Sequence, residues 1–544
     1  MNTRQLQTDK NQKLYHALLG ILLVCALAMM MLLSYWACKY SYYGAVDGRT
    51  RGVLVGDKTW AHIAVFLAAS LCTMGIDKVL MKKDKSQQEK ICLCTLIVTS
   101  VIAYILGVFY VCKNPYYPVG DQINTTAFAA YCRDGNFNML SIGGYVGMYQ
   151  QQKGLAILYE ILFTLFGDFN YRPAKILHVV WWILTILAGY GFLKLNTDRP
   201  VFRMLYCVMM LGCFPLLFYL PYIYGDVLSI SFGIILFYGV AAYEHSGQKR
   251  YIALASFAAG LAVLARKNTW IVLVAVAVYV LLVSLRKKKV RYLMAGTAIL
   301  LTAALSVKAV DVIYEVRSGY PSGVGIPSIL WVAMGLQETE GRAGVYNRYQ
   351  QATFTDYDCQ QELAAQQGKE YIRERLEEFS QDPGMAFNFF KNKVEGQWIE
   401  PMYAALESTE SFEEGAELSP VLESLYYGEL GRTIWKLTNY YQSILYLAGL
   451  MALVMLGILW WKKKEVPISL WLPWIAVFGG FLFSILWEAK SRYVFPYCVF
   501  MILYVPEGLY QTGLLLCKLP KLRKFKKSGH TQDKGEEASL RETA

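Results

Sequence analysis

Apolar residues form long stretches along most of the chain, and short polar segments separate them. A membrane hydrocarbon core about 30 Å thick requires roughly 20 apolar residues in a helix that crosses it. Twelve stretches approach or reach this length and are predicted to span a membrane: Leu18–Ala37, Trp60–Leu80, Ile91–Val111, Ile176–Leu193, Phe202–Leu220, Leu228–Tyr243, Ile252–Leu264, Trp270–Leu285, Tyr292–Val310, Ile444–Trp461, Ile468–Trp487 and Tyr493–Leu514. The pattern predicts an all-α polytopic membrane protein.

One further apolar run, Leu155–Phe166, is short for a membrane span. Counting it as a span would also place later basic clusters on the opposite side of the membrane from the earlier ones. We therefore predict a helix that lies at, or dips into, the outer surface after the third span. The alternative is a short true span combined with one misassigned neighbour.

The one long polar segment, 311–433, is predicted to fold outside the membrane. It contains helix-like stretches at Gln361–Phe379 and Pro383–Trp398, and Asp382 suits the N-cap of the second. The chain then divides into four parts: a transmembrane module at 1–310 with its first external loop at 112–175, a mainly helical external domain at 311–433, transmembrane helices at 434–517, and a basic, disordered tail at 518–544.

Composition supports the membrane assignment. Apolar residues make up 55% of the chain and charged residues 17%, whereas an average soluble domain has about 25% charged residues. This composition argues against a soluble enzyme. Most of the 12 cysteines fall in or beside apolar runs, where they are expected to be buried packing residues rather than a disulfide framework.

The net charge of +12 conceals an asymmetry. Segment 311–433 has 21 acidic and 9 basic residues, a net of −12, so the remainder has a net of +24. The basic residues cluster at the ends of apolar runs: Lys82/Lys83/Lys85/Lys90, Lys194/Arg199/Arg203, Arg286/Lys287/Lys288/Lys289/Arg291, Lys462/Lys463/Lys464 and Lys518/Lys521/Arg523/Lys524/Lys526/Lys527. This distribution is typical of the positive-inside rule rather than of nucleic-acid binding. We expect a bacterial plasma-membrane protein with both termini cytoplasmic and the acidic domain extracytoplasmic.

Three charged residues from separate segments are predicted to meet at the outer face. Asp121 follows the third span, Lys153 begins the surface helix, and Asp226 lies in the next outer turn. Aromatic residues flank Asp226 in that turn: Tyr219, Tyr222 and Tyr224. For Asp121 alone, the alternative is a solvated surface carboxylate. None of the five histidines lies in these segments, so histidine-based acid–base chemistry is not expected there.

Further cations lie at outer helix ends. Arg266 and Lys267 interrupt an apolar run on the side where positive residues are disfavoured, which indicates an anionic partner. Snorkelling into the outer headgroups explains the pair equally well. Arg492 precedes the last span and can form a bidentate contact with phosphate, the alternative being a helical ion pair with Glu488.

The layout resembles the C-type glycosyltransferase superfamily, and is closest to protein O-mannosyltransferases and lipid A aminoarabinose transferases. The similarity extends over roughly 116–285 and, more loosely, 488–496. It is carried by Asp121, Gly135-Asn136-Phe137, Lys153-Gly154-Leu155, Phe166-Gly167, Asp226 and the Glu488–Tyr493 run. The resemblance implies this superfamily's fold and an inverting transfer of sugar from a polyprenyl-phosphate donor at the outer face.

The resemblance also assigns roles to individual residues. Asp121 matches the catalytic carboxylate, the general base, and Asp226 the second outer acid, while Lys153 matches a loop lysine near the donor phosphate. Two positions depart from the family pattern. Gln122 replaces an acid after the catalytic Asp, and Gly154-Leu155 replaces two prolines after the lysine.

Chemical reasoning completes the predicted site. A departing lipid phosphate needs fixed cations, for which Lys153, Arg266, Lys267 and Arg492 are the candidates. The predicted supporting residues are Gln122, Tyr149, Gln151, Tyr224, Glu488 and Tyr493. No metal-ligand cluster is evident, although Asp121 and Asp226 could share a divalent cation. The expected partners are the lipid-linked sugar donor and an envelope glycan, lipid or protein acceptor, without nucleic acid.

Two other functional classes are alternatives. A transporter or lipid flippase would be expected to have ionisable residues near the bilayer midplane and internal repeats, neither of which is evident. A noncatalytic envelope protein could instead use the external domain to bind a partner. Its candidate surface aromatics are Trp331, Trp398, Tyr426 and Tyr427.

Overall fold

The computed structural model describes residues 3–46, 51–323 and 325–518, most of which are helical. Ten helical segments in this part of the chain are long and apolar enough to cross a membrane: Asn11–Lys39, Thr59–Leu80, Lys85–Lys113, Arg172–Asn196, Asp226–Ser246, Lys267–Lys287, Val290–Ser318, Glu429–Trp461, Ile468–Leu486 and Ser491–Lys518. The protein is therefore a predominantly α-helical, multi-pass membrane protein, with fewer spans of full length than the twelve predicted.

The elements up to residue 318 are α1 (Thr3–Lys39), β1 (Tyr40–Val46), β2 (Arg51–Gly56), α2 (Thr59–Leu80), α3 (Lys85–Lys113), α4 (Asp121–Arg133), α5 (Tyr145–Met148), α6 (Lys153–Phe166), α7 (Arg172–Asn196), α8 (Pro200–Leu211), α9 (Phe214–Phe218), α10 (Asp226–Ser246), α11 (Lys249–Ala265), α12 (Trp270–Lys287) and α13 (Val290–Ser318). The predicted surface helix is α6, which begins two residues earlier than expected. Short 3-10 turns lie at Asn138–Leu140, Gln150–Gln152 and Lys267–Thr269.

Segment 311–433, which we call the external domain because the sequence predicts it outside the membrane, contains α14 (Ser328–Gly335), β3 (Glu338–Thr339), β4 (Arg342–Ala343), α15 (Tyr349–Asp356), α16 (Gln361–Gln381), α17 (Pro383–Trp398), α18 (Ala405–Ser408) and α19 (Pro420–Tyr427). The remaining helices are α20 (Glu429–Trp461), α21 (Leu472–Leu486) and α22 (Ser491–Met501), with 3-10 turns at Ile468–Trp471 and Ile502–Tyr504. Beyond Lys518, the predicted basic tail lies outside the described residues.

Two predicted spans are not among the ten long helices. Phe202–Leu220 is divided into α8 and α9, which are interrupted at Gly212 and Cys213 just before Pro215. Proline lacks a backbone N–H and clashes with the preceding turn, so it cannot continue α8. The other, Ile252–Leu264, lies within α11, whose 17 residues extend about 25 Å at 1.5 Å per residue.

Both of these segments nevertheless connect the same two ends of the bundle. Near the start of α8, the Arg203 guanidinium pairs with Glu89 at 2.6 Å. Just beyond α9, the Tyr219 hydroxyl donates to the Tyr403 carbonyl oxygen at 2.5 Å. In the same way, α11 ends at Ala265, and the following Arg266 pairs with Asp226 at the start of α10.

Contacts place three of the basic clusters, those around Glu89, Lys194 and Lys287, at one end of the bundle. Lys194 pairs at 3.2 Å with Glu89, which lies near the start of α3 within the stretch of the first cluster. Asn196, two residues further on, lies 3.3 Å from the Ser469 hydroxyl, and the Ser469 amide donates to Glu244. Glu244 in turn pairs with Lys287. We call this the basic end, and its cytoplasmic orientation stays a prediction.

A short antiparallel hairpin of β1 and β2 accompanies the helices. Tyr40 pairs with Gly56 and Tyr43 with Val53 in an antiparallel register. Its sequence signal was present, because alternating aromatic and β-branched residues flank the dipeptide Asp47-Gly48, a typical turn sequence. A second, two-residue hairpin joins β3 and β4 within the external domain.

Helix α17 connects the external domain to the transmembrane bundle. As predicted, it begins after Asp382, whose side chain accepts a hydrogen bond from the Met385 amide at 2.9 Å. At its other end, Trp398 is fully buried and donates to the Ser484 hydroxyl of α21 at 3.0 Å. The β1–β2 hairpin packs on the same helix through the Tyr40 hydroxyl. The domain is therefore joined to both the hairpin and α21.

Candidate functional site

A cavity of about 220 Å³ lies at the end of the bundle opposite the basic end, beneath the external domain. Nine of the twelve predicted site residues line it: Asp121, Tyr149, Gln151, Tyr224, Arg266, Lys267, Glu488, Arg492 and Tyr493. The other lining residues are Gln152, Ala265, Asn268, Ser328, Trp331, Tyr346, Gln350, Trp487 and Lys490. We call this the main cavity.

Asp121 is the first residue of α4 and is solvent-exposed at the cavity wall. Gly120 before it has a φ of +59°, a conformation that glycine adopts without steric cost. The Tyr145 hydroxyl donates to Asp121 Oδ1 at 2.9 Å. Burial and the charge of Asp121 raise the pKa of Tyr145, so this phenol stays a proton donor.

The cations meet because two helix termini meet. Arg266 follows the last residue of α11, and Arg492 lies in the first turn of α22. Both guanidinium groups lie over the Tyr493 ring, at 5.4 Å from its centroid. With Lys267 and Lys490, four cations and two carboxylates, those of Asp121 and Glu488, line the main cavity. The charge balance favours an anionic ligand.

Asp226 does not reach the main cavity surface. It is 2% exposed, and Arg266 Nη1 lies 2.5 Å from its Oδ1, while Arg492 Nε lies 4.0 Å from the same oxygen. A side chain at Gly225 would collide with the Ala265 carbonyl oxygen, so glycine lets α10 and α11 approach closely here. The carboxylate thus holds two arginines whose side chains line the cavity.

Lys153 and Gln122 also lie outside the main cavity lining. Lys153 is 3% exposed, forms an ion pair with Asp311 and donates to the Ser322 hydroxyl at 2.9 Å. Gln122 is buried and accepts a hydrogen bond from the Tyr116 hydroxyl. Nothing local in the sequence indicated that Asp311, more than 150 residues away, would be the partner of Lys153.

Lys153 instead lines a neighbouring cavity of about 200 Å³. Much of its wall is apolar: Val263, Leu264, Trp270, Val307 and Val310. Lys267 lines both this cavity and the main cavity. An apolar space therefore adjoins the charged one, with a lysine common to both.

Aromatic residues of the main cavity include two that the predicted site lacked. Trp331 of α14 and Trp487 after α21 stack with an interplanar angle of 2° and a centroid separation of 5.9 Å. Tyr149 packs edge-on against Trp331 at 6.2 Å. The sequence indicates Trp331 only as a candidate surface residue for partner binding. Its place in the cavity depends on how the external domain sits on the bundle, which the local sequence does not specify.

The residues around Asp226 affect whether it could share a divalent cation with Asp121. Its two guanidinium neighbours are positively charged and would repel such an ion. Within the part of the chain that the structure describes, no group of three or more His, Cys, Asp or Glu residues could hold a metal. The described charged partners of Asp226 are therefore the two arginines.

In comparisons with protein-family models, curated proteins and solved structures, no match to this chain is found.

Proposed function

We propose that this protein is an integral membrane glycosyltransferase. It would transfer a sugar from a polyprenyl-phosphate donor to an acceptor hydroxyl at the outer face of a plasma membrane. The observation that carries the proposal is the main cavity, where an exposed carboxylate, Asp121, faces a group of cations at one end of an apolar helical bundle. The resemblance of the residue layout to C-type glycosyltransferases supports the same assignment.

Asp121 is the proposed general base. As the acceptor oxygen bonds to the anomeric carbon, the hydroxyl proton passes to the Asp121 carboxylate. The bond between the anomeric carbon and the phosphate oxygen breaks, and its electron pair leaves with the polyprenyl phosphate. Attack opposite the leaving group inverts the anomeric centre. General-base catalysis of this kind contributes about 10²–10⁴-fold in rate.

Arg266, Lys267 and Arg492 are the proposed binding groups for the phosphate. The phosphate leaves as an anion, so it needs fixed positive charge rather than a proton donor. Charge-assisted hydrogen bonds from guanidinium groups supply that charge with defined geometry. Asp226 is proposed as a positioning residue, because it contacts the arginines and not the cavity.

The neighbouring apolar cavity supports a lipid-linked donor. A polyprenyl chain needs an apolar channel that begins next to the phosphate, and Lys267 lies where the two cavities adjoin. Lys153 and its partner Asp311 are on the wall of this second cavity. We therefore propose that Lys153 lies at the entry of this apolar cavity, which would hold the lipid chain, and that it does not bind the phosphate.

The test is transfer by the purified full-length protein in nanodiscs, supplied with radiolabelled polyprenyl-phosphate sugars and envelope extract. Asp121→Asn should reduce transfer by about 10²-fold or more while donor binding persists. Asp134→Asn, at the exposed C-terminal end of the same helix α4, is the matched control and should retain transfer. Undiminished transfer by Asp121→Asn would remove Asp121 as the base. Movement of the donor across the bilayer without transfer would favour the transporter alternative.

A further inference from the structure

A third cavity, of about 410 Å³, lies between the β1–β2 hairpin and the external domain. Four parts of the chain form its wall: Tyr42 of β1 with residues 51–54 of β2, the β3–β4 turn and Val345, helix α17 at Asn392, Lys393 and Gly396, and Ala489. We call it the hairpin cavity. Its volume is in the range of small-molecule binding sites.

The hairpin cavity differs in charge from the domain that forms most of it. Segment 311–433 carries a net of −12, yet the described lining of this cavity has three basic residues, Arg51, Arg342 and Lys393, and no acidic one. Two carboxylates act on these cations: Glu340 pairs with Arg342 at 2.7 Å, and the charge of Glu488 acts on Lys393. Local cationic character in an acidic domain indicates selection for an anion.

Arg342 is well placed to bind such an anion. Its side chain is 10% exposed, whereas its partner Glu340 is 77% exposed. An ion pair with so exposed a carboxylate contributes little, so an entering anion can compete for the guanidinium. The less hydrated interior of the cavity would strengthen the new contact.

Lys393 is held at the base of the hairpin cavity. It is 1% exposed and donates to the Gly335 carbonyl oxygen, and a side chain at Gly344 would come within 2.8 Å of its Nζ. Burial lowers the pKa of Lys393 to about 7, while the charge of Glu488 raises it. A bound anion would further favour the protonated ammonium of Lys393.

We propose that the hairpin cavity is a second ligand site, specific for a small polar molecule bearing a phosphate or carboxylate group. Arg51 and Arg342 bind the anionic group, and the positive charge of Lys393 in the same lining also attracts it. This site is separate from the main cavity, although Ala489 lines one and its neighbours Glu488 and Lys490 line the other. The proposal does not depend on the sugar-transfer reaction.

Hydrogen exchange on the full-length protein in phosphatidylcholine nanodiscs tests the site, with inorganic pyrophosphate as the probe. We expect slower amide exchange at residues 51–56 and 341–345. Arg342→Gln should raise the half-saturating concentration about tenfold or more, as the loss of a charge-assisted hydrogen bond predicts. Arg373→Gln is the matched control, because Arg373 is 67% exposed on α16 and outside the lining.

Four further arms of the experiment decide the interpretation. Arg492→Gln, which alters the main cavity, should leave this protection intact; loss of protection there would overturn the proposal. So would equal protection by sucrose, protection that survives in both Arg51→Gln and Arg342→Gln, or no protection in the unmodified protein with any probe. Protection by phosphatidylglycerol nanodiscs without pyrophosphate would support the site and identify a lipid headgroup as the anion source. Protection by pyrophosphate alone would identify a soluble source.

Discussion

Helix α10 has a buried carboxylate near each end, and the two differ in how completely they are satisfied. Glu244, at the basic end, accepts from Lys287 at 2.8 Å, the Tyr279 hydroxyl at 3.1 Å and the Ser469 amide at 2.8 Å. Asp226, at the cavity end, has arginines on Oδ1, whereas its Oδ2 has no hydrogen-bond partner among the described residues although it is buried. The first is a closed network and the second is an incomplete one.

We propose that this difference separates a structural ion pair from one that serves the proposed ligand site. A carboxylate whose oxygens are satisfied by fixed groups of the protein stabilises the fold and leaves no capacity for a ligand. At the cavity end, two guanidinium groups share one carboxylate, so a net positive charge remains, to which the proposed phosphate would bind. Residue type alone does not separate the two cases, because each consists of an acid and basic residues at a helix end.

The largest expected effect comes from removing a cation at the cavity end. Arg492→Gln should lower sugar transfer about 10²-fold, because a fixed charge that stabilises the leaving phosphate is lost. Arg286→Gln removes an arginine at the basic end, where Arg286 pairs with the exposed Glu465 at 3.3 Å. That control should change transfer little. Equal losses in both variants would contradict the distinction between the two ends.

The second prediction concerns stability. Glu244→Gln should lower the free energy of unfolding by about 1–3 kcal/mol, because Lys287 loses its charged partner in a buried network. Asp226→Asn should have the smaller effect on stability and the larger effect on transfer per folded molecule, since it releases Arg266 and Arg492. Thermal unfolding in detergent and transfer assays on the same preparations measure both quantities. The reverse ranking would show that Asp226 is the structural residue.

The sequence predicted the long helices well because each one follows from local composition. It also predicted the N-cap at Asp382. That cap is a local contact, because the Asp382 side chain accepts a hydrogen bond from an amide only three residues away. The β1–β2 hairpin could also have been predicted, because the dipeptide Asp47-Gly48 is a typical turn sequence. The break between α8 and α9 could have been inferred from Gly212 and Pro215, which together disfavour a continuous helix.

Most of the main cavity was also predictable, because helix ends on one side of a membrane must meet. The exceptions required knowledge of tertiary pairing. Lys153 lies opposite Asp311, and Asp226 lies beneath two arginines, so neither lines the main cavity. The Trp331–Trp487 stack joins the external domain to the bundle. Such contacts connect distant segments, and no periodicity or spacing encodes them.

The smallest expected effect comes from a third buried carboxylate, Glu400, near the cavity end. It accepts hydrogen bonds from the Met402 and Ala404 amides at 2.8 and 2.6 Å. Burial and the charge of Glu407 raise the pKa of Glu400 to about 8. Unlike Glu244, this group has no cation among its hydrogen-bond partners in the described chain, so its protonated form is favoured.

Because the folded pKa is raised above the unfolded value of about 4.3, the contribution of Glu400 to stability is complete below that value. It is lost as the pH rises through about 8. Glu400→Gln, which resembles the protonated acid, should remove this dependence. We expect the thermal midpoint of the unmodified protein to fall by a few degrees relative to the variant between pH 5 and pH 8. Glu413→Gln, an exposed acid in the same domain, is the control. A constant difference between the two proteins across this range would contradict the prediction, because it would mean that folding does not raise the pKa of Glu400.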